Sequence, residues 1–231
     1  MDYPNISILV PTYNRSKFLP LFINNIKNQT YPAKLLEIVI DDDGTEPFTD
    51  DIEILRYVLK PSKLIYFRSV NRRTIGEKRN NLVKMANSKI LCNMDDDDIY
   101  KPQYIEYSYA LLKKRKVGLV GSNQMVFTYP FDDFKMSLIN CSSKLQIHEA
   151  TMLFTKKYFK SMNGFGICSQ GEGLKFINEP QVEISNIHNV MICVAHNDNT
   201  INKDVFNNSK NNININYSGE EIDILIDILY K

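Results

Sequence analysis

No two of the four cysteines stand close together. Cys92, Cys141, Cys168 and Cys193 form no C-x-x-C pair, which argues against a zinc ribbon or a dithiol redox centre. Cys92 and Cys193 each fall inside an apolar run, the ordinary place for a small buried thiol. Long apolar runs are missing too, since none approaches the roughly 20 residues that a membrane-spanning helix needs. The start, MDYPNISILVPTYN, has no basic segment leading into an apolar one, as a secretory signal would. Charge of one sign is not in excess: 28 Lys and Arg meet 27 Asp and Glu, for a formal net charge of +1. That balance gives no global attraction to nucleic acid or to a membrane surface. A Gly-rich loop with a trailing Lys, the device that grips a nucleoside triphosphate, is absent, and no segment repeats. The expectation is a soluble, cytoplasmic protein with no nucleic-acid partner and no integral membrane segment.

Of the 231 residues, 43% are hydrophobic and 24% charged, enough for one domain with a sizeable core. Short apolar runs at 6–10, 36–40, 63–67 and 89–94 predict strands, and the stretches 16–29, 51–60, 74–87 and 102–115 predict helices. In the first helix Phe18, Leu21, Phe22 and Ile26 share a face, Ser16 is placed to cap it, and Pro20 falls at the edge of the first turn. The alternation predicts an α/β fold with a mostly parallel central sheet covered by helices on both faces. The second half is less regular, with strand-like runs at 117–121, 125–129, 151–155 and 190–195. We expect this domain to occupy 1–201, an Asn-rich linker 202–217, and a C-terminal amphipathic helix 218–231. That helix has Ser218 and Glu221 in capping-box spacing and Ile222, Leu225, Ile226 and Leu229 on one stripe. It could dock on the domain or supply an oligomer interface.

Two acidic clusters, DDDG at 41–44 and DDDD at 95–98, each follow the end of a predicted strand. In an open α/β sheet, ligands bind at the carboxyl ends of strands. Adjacent like charges about 4 Å apart repel by roughly 1 kcal/mol even in water. The run at 95–98 therefore either splays into solvent or holds something positive. Oxygen ligands suit Mg²⁺ or Mn²⁺. The run lacks the spacing of an EF-hand, so protein ligands would be few and the rest would come from water and a substrate diphosphate. Arg72, Arg73, Lys78 and Arg79 precede the fourth strand and could face phosphates, for which the arginine fork is suited.

The segments SILVPTYNRSKFL, LEIVIDDDGT and GEKRNNLVKMANSKILCNMDDDDIYKP resemble family 2 glycosyltransferases of the GT-A fold. Those enzymes carry a strand ending in P-x-Y-N, a strand ending in D-D-G/S, an A-R-N helix start and a D-x-D-type motif followed by aromatic-x-Pro. The resemblance covers residues 5 to about 110 and thins afterwards. It implies that Pro11 and Tyr13 hold the nucleotide base, Tyr13 by stacking. Asp43, or Asp42 one position away, would hydrogen-bond the base or ribose, which favours UDP. Arg79 matches a donor-binding arginine, with Lys78 in place of the usual Ala. Asp96 matches a residue near the sugar or ribose, Asp97 a metal ligand, and Asp95 a substitute for either.

The resemblance also implies inversion at the anomeric carbon, with a carboxylate deprotonating an acceptor hydroxyl and a divalent cation, Mn²⁺ or Mg²⁺, stabilising the departing diphosphate. The base is expected in NGFGICSQGEGLKF (163–176), where Glu172 stands alone although a Glu-Asp pair is common there. Glu149 and Glu179 are its competitors. His196 follows a strand and matches a histidine that can complete the metal site, whereas His148 and His188 have no such support. The function expected is therefore a metal-dependent inverting transferase moving sugar from a UDP-sugar to an acceptor hydroxyl. A nucleotidyltransferase and an inactive nucleotide-binding module are the alternatives.

Overall fold

The computed structural model describes residues 3–141, 143, 146–199, 203–207 and 219–230. In chain order the elements are β1 (Ile6–Thr12), α1 (Leu19–Lys27), β2 (Leu36–Asp42), α2 (Ile52–Val58), β3 (Lys63–Arg68), α3 (Ile75–Met85), β4 (Ile90–Asn93), β5 (Ile99–Tyr100) and α4 (Tyr104–Arg115). After these come β6 (Leu119–Gly121), β7 (Gln124–Tyr129), β8 (Lys135–Asn140), β9 (Leu153–Thr155), α5 (Lys156–Ser161), β10 (Val182–Ile184), β11 (Met191–Val194) and α6 (Gly219–Tyr230). Seven strands form the central sheet in the order β10-β6-β9-β4-β1-β2-β3. All neighbours in it are parallel except around β9, which runs antiparallel to both β4 and β6. A second sheet orders β5-β11-β7-β8.

The apolar runs of β1 and β2 are continuous because both faces of a parallel sheet are covered. Side chains alternate between the faces. Ile6, Ile8, Val10, Ile38 and Ile40 join the core under α1, with Phe18, Leu21, Phe22 and Ile26. Leu9, Val39 and Leu91 face the other core, with Leu82 and Val83 of α3. Each such fully buried side chain contributes about 1.5–3 kcal/mol.

Register gathers the functional loops at one end. Thr12 pairs with Asp42 across β1 and β2, and Leu9 pairs with Asn93 across β1 and β4. The segments carrying Tyr13, Asp43 and Asp95–Asp98 therefore leave the sheet side by side.

Helix starts differ in detail from expectation. Ser16 does not cap a helix: residues Ser16–Phe18 make a single 3₁₀ turn, and α1 begins at Leu19 with Pro20 in its first turn, where a missing N–H costs nothing. The helix α3 has a capping box that the sequence reading did not single out, with Glu77 N–H donating to Thr74 Oγ1 at 3.2 Å and Thr74 N–H to Glu77 Oε2 at 2.8 Å. Of the expected linker, Lys203–Phe206 form a 3₁₀ turn, while 208–217 and Ser218 lie outside the described residues. The helix α6 packs its apolar side on its own domain against α1: Leu225 is buried, and the Tyr230 hydroxyl donates to Pro130 O at 2.5 Å. No helix among the described residues is long and apolar enough to cross a membrane.

Candidate active site

The first acidic cluster is largely occupied by the protein itself. The strand β2 extends through Asp41 and Asp42, so both are buried. Asp42 accepts from Gly44 N–H and Phe48 N–H, each at 2.9 Å, from the Tyr66 hydroxyl at 2.6 Å and from Arg68 at 3.1 Å. Four donors use up a carboxylate, so Asp42 braces the turn, and Asp43 beside it is buried as well. Asp43 accepts from Lys78 Nζ at 2.8 Å and from Arg73 N–H at 2.6 Å. Lys78 also donates to Thr12 O at 2.9 Å, which ties α3 to the end of β1. Asp41 pairs with Arg73 and accepts from Asn81 at 2.8 Å, and burial nevertheless raises its pKa above the usual carboxylate range. The guanidinium of exposed Arg72 lies 4.1 Å over the Tyr13 ring, on a face open to planar cations and bases alike.

The second cluster is a fan of four carboxylates in four environments. Asp95, partly exposed, pairs with Arg79 at 3.1 Å. Asp96 is buried, with Oδ2 lacking any hydrogen-bond partner. Burial and the neighbouring Asp97 charge hold its pKa well above the ordinary range. Asp97 meets His196 Nε2 at 3.0 Å, Arg15 Nε at 3.3 Å and Asn199 Nδ2 at 3.4 Å. Burial opposes its ionisation, but His196, Lys203 and Arg15 outweigh burial and hold it well below the usual range. Asp98 accepts from Val194 N–H at 2.9 Å and pairs with Lys203 at 3.4 Å, with burial pushing its pKa up to about 6. Of the two neighbours, Asp96 is thus the more readily protonated and Asp97 the less.

His196, 99 residues from Asp97 in sequence, is brought against it by the turn after β11. Its Nδ1 accepts from Asp198 N–H at 3.2 Å, and its Nε2 lies 3.0 Å from Asp97 Oδ2 and 2.8 Å from Asn199 Nδ2. The ring packs on Phe18 at 4.5 Å between centroids, and burial lowers its pKa.

Glu172 reaches the same cleft from the far end of the chain. Phe165 and Phe176 stack at 4.3 Å and pack edge-on against Phe154, which fixes the loop between them. A Cβ on Gly76 would lie 1.7 Å from Gly166 O, so only glycine lets this loop close on the start of α3. At Glu172 the chain makes a loop, followed by a 3₁₀ turn at Leu174–Phe176. Glu172 is 5% exposed, and its Oε1 accepts from Arg79 Nε at 3.0 Å. Burial works against the Arg79 charge, but Asp95, Glu172 and Glu149 together raise its pKa further. Glu149 lies beside them, its Oε1 accepting from Gly173 N–H at 2.9 Å. A cavity of about 190 Å³ opens next to it, lined by Ser122, Gln146, His148, Glu149, Gly171 and Leu174 among others. Glu179 instead begins a separate 3₁₀ turn.

The structure thus joins Asp95, Arg79 and Glu172 in one network, and Asp97 and His196 in another. Arg15, Asn199 and Lys203 were missed: each stands as a single polar residue in a loop, and only the returning chain brings it to the run. Among the described residues no three His, Cys, Asp or Glu side chains converge as a ready ligand set. A partly exposed Asp95, an orphaned buried oxygen on Asp96 and the Asp97–His196 pair nevertheless fit a divalent cation held by one or two protein groups and completed by substrate oxygens.

Comparison with known proteins accords with this geometry. The family model described as Glycosyl transferase family 2 matches residues 7–174. Glycosyltransferase AglE of Haloferax volcanii is 24% identical over 163 residues, which span 67% of this chain and 53% of that protein. An uncharacterised glycosyltransferase of Rickettsia conorii is 34% identical over 177 residues, spanning 69% of this chain and 28% of that protein. The chain thus spans about half or less of the length of these relatives. Among solved structures, S. aureus TarS 1–349 in complex with UDP superposes with a TM-score of 0.65 at 16% identity, covering 82% of this chain and 60% of that one. The mannosyltransferase PcManGT of Pyrobaculum calidifontis, in complex with GDP-Man and Mn²⁺, gives 0.65 at 18% identity, covering 86% and 59%. These likenesses establish the GT-A fold.

Proposed function

The chain belongs to glycosyl transferase family 2, and from that premise we propose that it moves a sugar, with inversion, from a UDP-linked donor to an acceptor hydroxyl. The observation that carries this reading is the convergence of Tyr13, Asp43, Arg79 and the acidic run at the carboxyl ends of three parallel strands. Tyr13 would stack the base once Arg72 swings aside or lies over it, and Pro11 would border it. Asp43 would accept an N–H of the base or an O–H of the ribose, and the former suits uracil. Arg79 would meet the donor diphosphate, with Asp96 near the ribose or sugar. Asp97 and His196, with Asp95 beside them, would hold Mn²⁺ or Mg²⁺. Bound there, the cation supplies charge neutralisation of the departing diphosphate. A carboxylate facing the acceptor, Glu172 or Glu149, would take the hydroxyl proton.

TarS structures contain UDP and UDP-GlcNAc, and PcManGT contains GDP-Man with Mn²⁺. Both ligand sets are nucleotide sugars or their products, which supports a donor of that class here. A binding module without turnover is the second reading, favoured by the engagement of Glu172 with Arg79 and by glycine at the next position. The test is product analysis after incubation with UDP-sugars and Mn²⁺. Release of UDP is the expected result. Pyrophosphate from a nucleoside triphosphate and a sugar phosphate would identify a nucleotidyltransferase instead, and no product of either kind would leave a binding module.

A further inference from the structure

Position 173 is glycine for reasons of space and not of backbone. Its φ of −84° and ψ of −10° are open to any residue. A Cβ placed there would stand 2.6 Å from Glu149 Oε1, 2.8 Å from its Cγ and 3.0 Å from its Cδ. The Glu149 carboxyl group therefore occupies the volume into which a side chain at 173 would project. It arrives from a different part of the chain, the turn Glu149–Thr151 ahead of β9. That turn is anchored where β4 ends, by Asn93 Nδ2 donating to Glu149 O at 2.7 Å.

The two glutamates are not equivalent. Glu172 is almost fully buried and its Oε1 is taken by Arg79, so removing its charge would leave the buried guanidinium with Asp95 as its remaining ion-pair partner. Glu149 is half-buried and lines the cavity of about 190 Å³, which Glu172 does not. Its Oε1 is aligned by Gly173 N–H, leaving Oε2 with no hydrogen-bond partner among the described residues. A general base needs a positioned carboxylate with a free oxygen facing its substrate. Glu149 meets that requirement at the cavity wall, whereas Glu172, 5% exposed, lies outside that lining.

Resting on the transferase reading above, we propose that Glu149 is the general base, filling from the β9 side the place of an acid that position 173 lacks, and that the cavity beside it receives the acceptor. The acceptor O–H proton passes to Glu149. The oxygen's electron pair forms the bond to the anomeric carbon. The bond from that carbon to the diphosphate oxygen breaks, and its pair leaves with the nucleoside diphosphate. Glu172 keeps Arg79 aimed at the donor and is a positioning residue.

The test is a side-chain exchange between two chain segments. UDP release from UDP-GlcNAc, UDP-glucose and UDP-galactose, with water as acceptor and Mn²⁺ present, is measured alongside calorimetric binding of UDP. Wild type is compared with Glu149→Ala, Glu172→Gln and the double variant Glu149→Ala/Gly173→Asp. We expect Glu149→Ala to bind UDP as wild type does while releasing it about 10²–10⁴-fold more slowly. In the double variant the space vacated by Glu149 admits an aspartate at 173, and turnover returns in part. A structural role for Glu149 would not produce that rescue. Wild-type release by Glu149→Ala would overturn the assignment, as would loss of UDP binding together with release. Failure of wild type to bind UDP or to release it would instead contradict the transferase reading itself.

Discussion

The carboxylates of Asp41, Asp42 and Asp43 are met by neighbours: backbone N–H groups a few residues on, and Tyr66, Arg68, Arg73, Lys78 and Asn81 in the adjoining strand, loop and helix. Those of Asp97 and Asp98 are met by distant groups, Arg15 at one end of the chain and His196, Asn199 and Lys203 at the other, while Asp95 pairs with Arg79. One cluster is complete once three strands and α3 are assembled. The other depends on a loop returning from β11, and it keeps a buried oxygen on Asp96 without a partner and an Asp95 partly open to solvent. Two similar strings of aspartate thus differ in duty. A carboxylate saturated by backbone donors holds a turn, whereas one left short of donors is free to meet a ligand.

The largest effect should come from Arg79, which joins the second cluster to Glu172. With side chains 4% and 6% exposed, breaking this pair in Arg79→Ala leaves a buried unpaired charge, and urea unfolding should show a loss of about 3–5 kcal/mol. The two clusters should then part company on neutralisation. Asp42→Asn turns an amide NH₂ towards N–H donors and should destabilise by about 2–4 kcal/mol. In Asp96→Asn, by contrast, the amide replaces a carboxyl whose charged form burial and Asp97 already disfavour, so stability should change by less than about 1 kcal/mol. Equal losses at both positions, measured by the same unfolding titration, would erase the distinction.

A smaller effect concerns pH. Burial lowers His148 from 6.5 to about 4, with Arg79 and Lys203 acting in the same direction and Asp95 and Glu172 opposing. The folded protein therefore binds fewer protons than the unfolded chain between those values. The stabilisation is complete above pH 6.5 and lost as pH falls towards 4, amounting to about 1–3 kcal/mol. Melting temperatures of wild type and His148→Gln should diverge in this window, with the variant falling less steeply. Parallel curves would show that His148 is not buried in its neutral form.

The alternation of β1 to α4 was legible because local pattern and burial agree there: the apolar runs become strands covered on both faces, and the helical stripes face the two cores. The later strands β5, β8 and β10 were missed. They are either two or three residues long or, like β8, mixed in polarity; β5 and β10 are fixed by pairing with distant strands and β8 by pairing with the preceding β7, not by propensity. In the site, aspartates after strand ends were readable as a ligand-binding edge. Which aspartate was saturated was not readable, because two donors to Asp42 are backbone groups that carry no sequence mark and the other two, Tyr66 and Arg68, arrive from the paired strand β3. The position of Glu149 against Gly173 was equally hidden, since it arises where two loops cross.

The central claim is that the run at 95–98 holds a sugar-nucleotide diphosphate through a divalent cation. Calorimetric titration of UDP, with and without Mn²⁺, against wild type and Asp97→Ala tests it most directly. The account predicts that tight binding needs both the metal and Asp97. UDP binding that is indifferent to both, or absent in every condition, would contradict it and return the aspartates to a purely structural part.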